Sequence, residues 1–264
     1  MGAFRLQLGA IARGRSGEAV EKSCLAERLG RYLHLVESER RALLELEEVE
    51  RSVPRGTVLR AEQSPTRELY VVRKGWLYSS MLLADGNRQI LTLHLPGELA
   101  GETSLAWNHA PFTITAATDA TIRIIDKAAL RGLFERHPRL AMLIHTLAQA
   151  ERVMLADRLA SVGRTSARAR VAALLVDALR RLRAHGEPIE EGIPLPLTQE
   201  EIGDATGLTA VHVNRMIRQL AEAGLISRSN GRVRILDEAE LAAVANHVDR
   251  YGTIDTGWLP SALS

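Results

Sequence analysis

The sequence predicts an α+β fold in three parts: a roll of short β-strands, a long helix, and a compact C-terminal unit of two crossing helices followed by a hairpin. Three observations carry this. Short apolar runs alternate with turn signals from Val53 to Ile125, an apolar stripe at 3/4 spacing runs from Leu140 to Met154, and a capped helix, a glycine turn and a second helix follow from Thr198 to Arg218. The 264 residues suffice for two domains, and 46% hydrophobic with 25% charged residues is ordinary composition for a folded chain in water. No apolar run approaches the ~20 residues of a bilayer span. The stretch Met1–Ile11 lacks a long apolar segment and a small-residue cleavage site, so the expected location is cytoplasmic. Cys24 is the sole cysteine, which excludes an intrachain disulfide and a cluster that takes about four cysteine ligands.

Residues 1–25 carry glycine and arginine without a sustained period and read as an N-terminal arm. Leu29, Leu33, Val36, Leu43, Leu44 and Leu46 then recur near helical spacing, which predicts one or two short helices at the head of a domain spanning 26–135. The strands follow: Val58-Leu59, Leu69–Val72, Trp76–Tyr78, Met81–Leu83, Ile90–Leu93, Phe112–Thr115 and Thr121–Ile125, separated by turns at Pro54–Gly56, Lys74-Gly75, Asp85–Asn87 and Pro96-Gly97. Strands spaced this closely leave no room for helical crossovers, so the expectation is an all-β roll. From 136 to 163 the period is helical, with Leu140, Leu143, Leu147, Ala150 and Met154 on one stripe. That stripe suits either a helix packed on its own roll or the seam of a parallel dimer. Gly163 and the polar residues after it read as a hinge into a C-terminal domain over 164–238, whose first helix runs from Arg168 to about Ala184. Residues 239–264 form an extension with a short helix at Leu241–Ala245.

Thr198-Gln-Glu-Glu201 has the form of a capping box, so a helix starts there. A small residue at Gly203, a glycine at 207 and a β-branched residue at Val213 fit a helix-turn-helix, whose helices cross too closely for bulk at the first position. The second helix of such a motif enters the major groove. Thr209, Ala210, Val211, His212, Asn214, Arg215 and Arg218 are therefore the candidate DNA contacts, joined by Thr198 at the head of the first helix. Arg215 is the strongest, because a guanidinium gives two parallel hydrogen bonds to guanine O6 and N7; the competing reading is a surface arginine paired with an acid such as Glu222. Ser227–Ile235 reads as a hairpin turning at Asn230-Gly231, a wing whose Arg228, Arg232 and Arg234 reach phosphates. Net charge is only +2, yet from Thr209 to Leu236 those five arginines face the single acid Glu222.

With these residues in order, roughly 30 to 237 resembles the cyclic-AMP receptor protein and FNR family of bacterial transcription regulators. The likeness rests on the glycine-punctuated roll (Gly56, Gly75, Gly86, Gly97, Gly101-Glu102), on His137-Pro138 opening the long helix, and on Leu197–Gly203 through Arg215 to Gly224–Ile226. The resemblance implies a cyclic-nucleotide-binding-like roll, a homodimer joined by the long helix, a double-stranded, two-fold symmetric DNA operator, and RNA polymerase as a partner. It also implies an effector pocket around Gly101, Glu102, Phe112, Thr113, Leu155 and Ala156. Members that respond to cyclic AMP place an arginine where this chain has Phe112, and offer adenine polar side chains where it has Leu155 and Ala156. The expectation is a regulator without cyclic AMP as effector. A lone Cys24 excludes the iron–sulfur sensor of the FNR branch, and His94, His109, His137 and His145 are expected to be ordinary histidines and not haem ligands. The pocket is either filled by its own side chains or open to an apolar effector.

Other classes fare worse. The sequence has no glycine-rich phosphate loop, no Gly-x-Ser-x-Gly elbow and no His-Glu-x-x-His, so no enzyme is expected and no metal site. A roll that controls a protein partner without DNA is the alternative, and the arginine wing argues against it.

Overall fold

Ser23 caps the first described helix by chemistry local to the helix end. Its Oγ accepts from Ala26 N at 2.9 Å, while Glu47 accepts from the amides of Cys24 and Leu25, so the free N–H groups of helix α1 (Cys24–Leu29) are met by side chains. The computed structural model describes residues 22–186, 188–229 and 231–261. The arm expected over 1–25 therefore lies outside the described residues as far as residue 21, and Cys24 and Leu25 already belong to α1. Burial pushes the Cys24 thiol up to about 11, so it is a packing residue and not a reactive thiolate. Helix α2 (Glu37–Leu46) follows.

The roll is two four-stranded antiparallel sheets among the described residues. One has the order β1 (Val49–Val53), β8 (Ala120–Asp126), β3 (Glu68–Lys74), β6 (Leu99–Ala100); the other has the order β2 (Val58–Arg60), β7 (Thr113–Ala116), β4 (Leu77–Leu82), β5 (Arg88–His94). Val53, Tyr70, Val72, Leu77, Ile114 and Ile122 fill the space between them. The strands expected at Trp76–Tyr78 and Met81–Leu83 are one strand, β4, kinked by a register shift at Ser79/Ser80. Gly75 is required where it stands: φ is +77° and a Cβ there would overlap the backbone of Asp119.

Helix α3 (Lys127–Arg136), capped by Asp126, leads into the 27-residue α4 (Pro138–Arg164), with Pro138 at its first turn. Leu140, Leu143 and Leu147 are 0%, 0% and 6% exposed and pack with Leu25, Leu29 and Leu43 inside the same protomer. This corrects their assignment to a dimer seam: the 3/4 stripe is the inward face of α4, continued by the half-buried Ala150 and Met154. The opposite face carries His145, Gln149, Arg152, Ala156 and Leu159, all exposed. Helix α4 runs on through Gly163, and the break falls at Thr165-Ser166, where Ser166 caps α5 (Ala167–Ala184) by accepting from Ala169 N.

The C-terminal unit packs α5 against α6 (Gln199–Thr206), α7 (Ala210–Glu222) and α8 (Glu238–Ala245), with β10 (Ile226–Ser229) and β11 (Arg232–Ile235) joined at the edge by β9 (Ile193–Pro194). Its core is continuous with the outer side of the roll: Trp76, Tyr78, Ile90 and Leu93 meet Val171, Leu175, Leu179 and Ile202 in one buried cluster. Burial of this apolar contact, rather than the Thr165-Ser166 link alone, sets how the two domains sit.

Candidate nucleic-acid interface

The capping box forms as its sequence requires. Glu201 N donates to Thr198 Oγ1 at 3.1 Å and Thr198 N donates to Glu201 Oε2 at 2.7 Å, which starts α6 at Gln199. Gly207 ends it at φ +67°, and Leu208 N returns a hydrogen bond to Gly203 O. A Cβ on Gly203 would fall far inside 3.0 Å of the Leu208 carbonyl oxygen, so the turn that aims α7 can approach α6 only because residue 203 has no side chain. Thr209 then caps α7, accepting from His212 N at 3.3 Å, with His212 Nδ1 3.0 Å from the same hydroxyl.

Val213, Met216, Ile217 and Leu220 bury one side of α7, which leaves the other side to solvent. Thr209, Val211, His212, Asn214, Arg215 and Arg218 are exposed together there, Val211 at 80%, and Ala210 is half-buried beside them. Arg215 has no hydrogen-bond or ion-pair partner among the described residues, so the pairing with Glu222 weighed against it does not form. In the wing, Arg228 and Arg234 are exposed. Arg232 is not free: its Nε and one terminal nitrogen donate to Gly192 O at 3.0 and 2.6 Å. It ties β11 to the loop before β9, so part of the guanidinium expected at a phosphate is already engaged within the fold. Ser229 pairs with Arg232 across the hairpin and Gly231 has φ +72°; Asn230, the other expected turn residue, lies outside the described residues. Thr198 is exposed at the head of α6, its hydroxyl engaged in the cap.

The pocket residues have a different fate. Gly101 takes φ +93° above Arg60, a residue only 6% exposed, whose guanidinium donates to Glu68 O and Ser104 Oγ and lies where any side chain on residue 101 would have to go. Glu102 faces Glu151 of α4; burial and the Glu151 charge push its carboxyl up to about 8, with Arg28 opposing. Arg28 reaches from α1 to bind Glu151 Oε1 at 2.7 Å. Thr113 Oγ1 accepts from Glu62 N, Phe112 is half-buried, and Leu155 and Ala156 are exposed on α4. Glu102 lies close enough to Glu151, one turn before Leu155 on α4, for the two carboxyls to couple, while Leu155 and Ala156 themselves are exposed in the protomer. A sequence reading could not find Arg28 or Arg60, because their side-chain partners Glu151 and Ser104 lie 123 and 44 positions away and no local period marks them.

A buried polar latch joins the roll to α5. Arg181 donates to both carboxylate oxygens of Glu98 and, at 2.5 Å, to Leu93 O; His185 Nε2 lies 3.1 Å from Glu98 Oε1. Burial alone would raise the Glu98 carboxyl, but Arg181, His185 and Arg28 hold it well below the usual range. Nearby, His94 is fully enclosed, hydrogen-bonded to Ser79, and burial drives its pKa down to about 4. His109 and His145 are exposed, and His137 sits at the junction of α3 and α4. From the roll, Arg88 binds Asp204 at 2.7 Å and Arg55 binds Glu201 at 2.6 Å, so α6 is gripped from below while α7 faces outward.

Two known domain families match this chain. Residues 50–137 match the cyclic nucleotide-binding domain and residues 169–244 the Crp-like helix-turn-helix domain. The chain is 33% identical over 190 residues to the nitrogen fixation regulation protein FixK of Bradyrhizobium diazoefficiens, covering 72% of this chain and 79% of that one. It is 28% identical to the transcriptional activator protein anr of Pseudomonas aeruginosa, covering 85% and 91% of the two chains. The solved structure of FixK2 from Bradyrhizobium japonicum is similar at a TM-score of 0.69 and 27% identity, over 76% of this chain and 98% of that one.

Proposed function

Because the chain belongs to the Crp/Fnr family of DNA-binding transcription regulators, we propose that it acts as a homodimer that reads a palindromic operator through α7 around Arg215, without cyclic AMP, haem or an iron–sulfur cluster. The observation that carries this reading is the outer face of α7, where Arg215 stands exposed with no partner among the described residues. An unpaired guanidinium on a recognition helix is poised for bidentate contact with guanine, and Asn214 beside it suits adenine. Arg228 and Arg234 supply phosphate contacts and hence salt-dependent affinity.

The exposed face of α4 supports the dimer. Ala156, Leu159 and Gly163 lie on it, small or apolar residues at i, i+3 and i+7, with Leu159 74% exposed. Independence from cyclic AMP is supported by the pocket chemistry. The residues do not suit a cyclic nucleotide: Phe112 offers no cation to a phosphate, Arg28 is committed to Glu151, and Arg60 already fills the space beneath Gly101. The regulator acts in the cytoplasm with RNA polymerase as its partner and performs no catalysis. No helix among the described residues is long and apolar enough to cross a membrane.

The test is an anisotropy titration of nucleotide-free protein against operator DNA selected from a random pool, with Arg215→Ala alongside. The expected result is a selected palindrome with a guanine in each half-site, and a loss of base discrimination of about 1–3 kcal/mol in the variant. Selected sites with no fixed guanine would refute the assignment of Arg215.

A further inference from the structure

Beyond α8 the chain does not end at the DNA-binding domain. Asn246 turns it at φ +49°, and the segment to residue 261 runs back along α4 to the N-terminal helices. Arg250 grips Asp157 of α4 with two hydrogen bonds of 2.8 and 3.0 Å, and Asp249 lies 3.8 Å from Arg180 of α5. Thr256 Oγ1 donates to Tyr32 O at 2.6 Å, after which Leu259 enters the cluster of Leu25, Leu29 and Leu140 and is only 8% exposed. Arg139 completes the anchor: its Nε donates to Pro260 O at 3.0 Å while the same guanidinium holds Glu39 and His34 O.

The domains are otherwise linked covalently only through Thr165-Ser166. The returning segment is a second connection in parallel with that hinge, fixed at α5, at α4 and in the apolar core of the N-terminal domain. Rotation of α5 about the hinge, besides breaking the Arg181–Glu98 latch and the apolar cluster shared with the roll, requires Arg250 to release Asp157 or Leu259 to leave its pocket. In this strapped state the outer face of α7 is exposed, so the arrangement presents the recognition helix and does not hide it.

We propose that residues 249–261 are an intramolecular strap that holds the DNA-binding domain in its DNA-reading orientation, doing with the chain's own residues what a bound effector would otherwise do. This rests on the ligand-independent reading above. The strap occupies a surface that a regulatory partner could compete for only by displacing Leu259.

The experiment is hydrogen exchange on the full chain, with operator binding measured on the same samples. Four proteins are compared: wild type, a truncation after Val248, Arg250→Asp, and the charge swap Arg250→Asp with Asp157→Arg. Opening of the strap exposes an apolar anchor, so exchange in α5 and in the 165–166 link rises roughly tenfold in the truncation. It rises less in Arg250→Asp and returns towards wild type in the swap. DNA affinity weakens in the same order. Unchanged exchange in both the truncation and Arg250→Asp overturns the strap, and so does faster exchange with tighter DNA binding, which would make the segment a brake. Wild type that binds no DNA selectively overturns the ligand-independent reading and the DNA-reading role with it, while the exchange data still decide whether the segment restrains the hinge.

Discussion

Replacing Gly203 with alanine separates a local helix preference from the packing of the motif. In an open helix interior, Gly→Ala stabilises by about 1 kcal/mol, because alanine has less backbone freedom to lose. Residue 203 lies in the interior of α6 with no positive φ, so propensity alone predicts that gain. The added Cβ, however, would overlap Leu208 O, with Leu208 C only 3.4 Å away, and these are backbone atoms that no rotamer change can move. Relief requires the turn to shift, and Leu208 N, Thr209 and the start of α7 shift with it. Overpacking of this kind costs about 1–3 kcal/mol, which cancels or exceeds the gain of about 1 kcal/mol and leaves a net loss of about 0–2 kcal/mol. Because the shift tilts the recognition helix, operator affinity should fall by more than stability alone explains. Urea unfolding gives the first quantity and anisotropy titration the second. A variant stabilised by about 1 kcal/mol that binds DNA like wild type would refute the close-crossing argument.

Arg181→Met removes the cation of a buried pair and leaves Glu98 enclosed, 5% exposed, so a loss of about 3–5 kcal/mol is expected in urea midpoints. Leu143→Ala empties a fully buried site and should cost about 2–5 kcal/mol, whereas Leu159→Ala should leave protomer stability within about 0.5 kcal/mol and weaken self-association in sedimentation equilibrium. Acid should destabilise the fold through His94. Above pH 6.5 neither state protonates it; between 6.5 and about 4 the unfolded chain takes up a proton that the buried ring refuses, so about 3 kcal/mol is lost by pH 4. Glu98 works in the same sense at lower pH: its contribution is complete above the ordinary carboxylate pKa and is lost progressively as pH falls from there through its depressed value. Glu102 opposes both over part of this range: its carboxyl, raised to about 8, stays protonated in the fold while the unfolded chain ionises it above 4.5, so the fold gains as pH falls from 8 to 4.5. Stability measured from pH 8 to 4 should therefore change slope near 6.5, where His94 and the buried His247 begin to count, and His94→Gln should reduce that change.

What could be read from sequence was local chemistry, and what could not was partnership over distance. The α6–α7 motif was legible because the Thr198/Glu201 cap, Gly203 and Gly207 act on neighbours within ten residues. Strand β1 went unread because only Val53 of its five residues is buried, and β6 because two residues have no period. The split of β4 in the sequence reading has a physical source: Ser79 and Ser80 break the apolar run, yet both are buried, Ser79 satisfied by His94. Clusters such as Arg28–Glu151 and Arg139–Pro260 join residues more than 100 positions apart and leave no spacing to detect.

The long helix makes the same distinction sharper. Periodicity at Leu140, Leu143 and Leu147 establishes that a face is buried, but it carries no information about which molecule buries it. The strongest apolar face of a helix packs where the largest apolar surface is offered, and within the protomer that is the core built from α1, α2 and α3. What remains for a second copy is the weaker face with Ala156, Leu159 and Gly163, where small side chains would let two backbones approach. A seam of this kind gains from close contact and not from bulk, so Ala156→Leu should weaken self-association by overpacking even as it adds hydrophobic area. If the dimer instead tightened, the two copies would not meet along this face of α4.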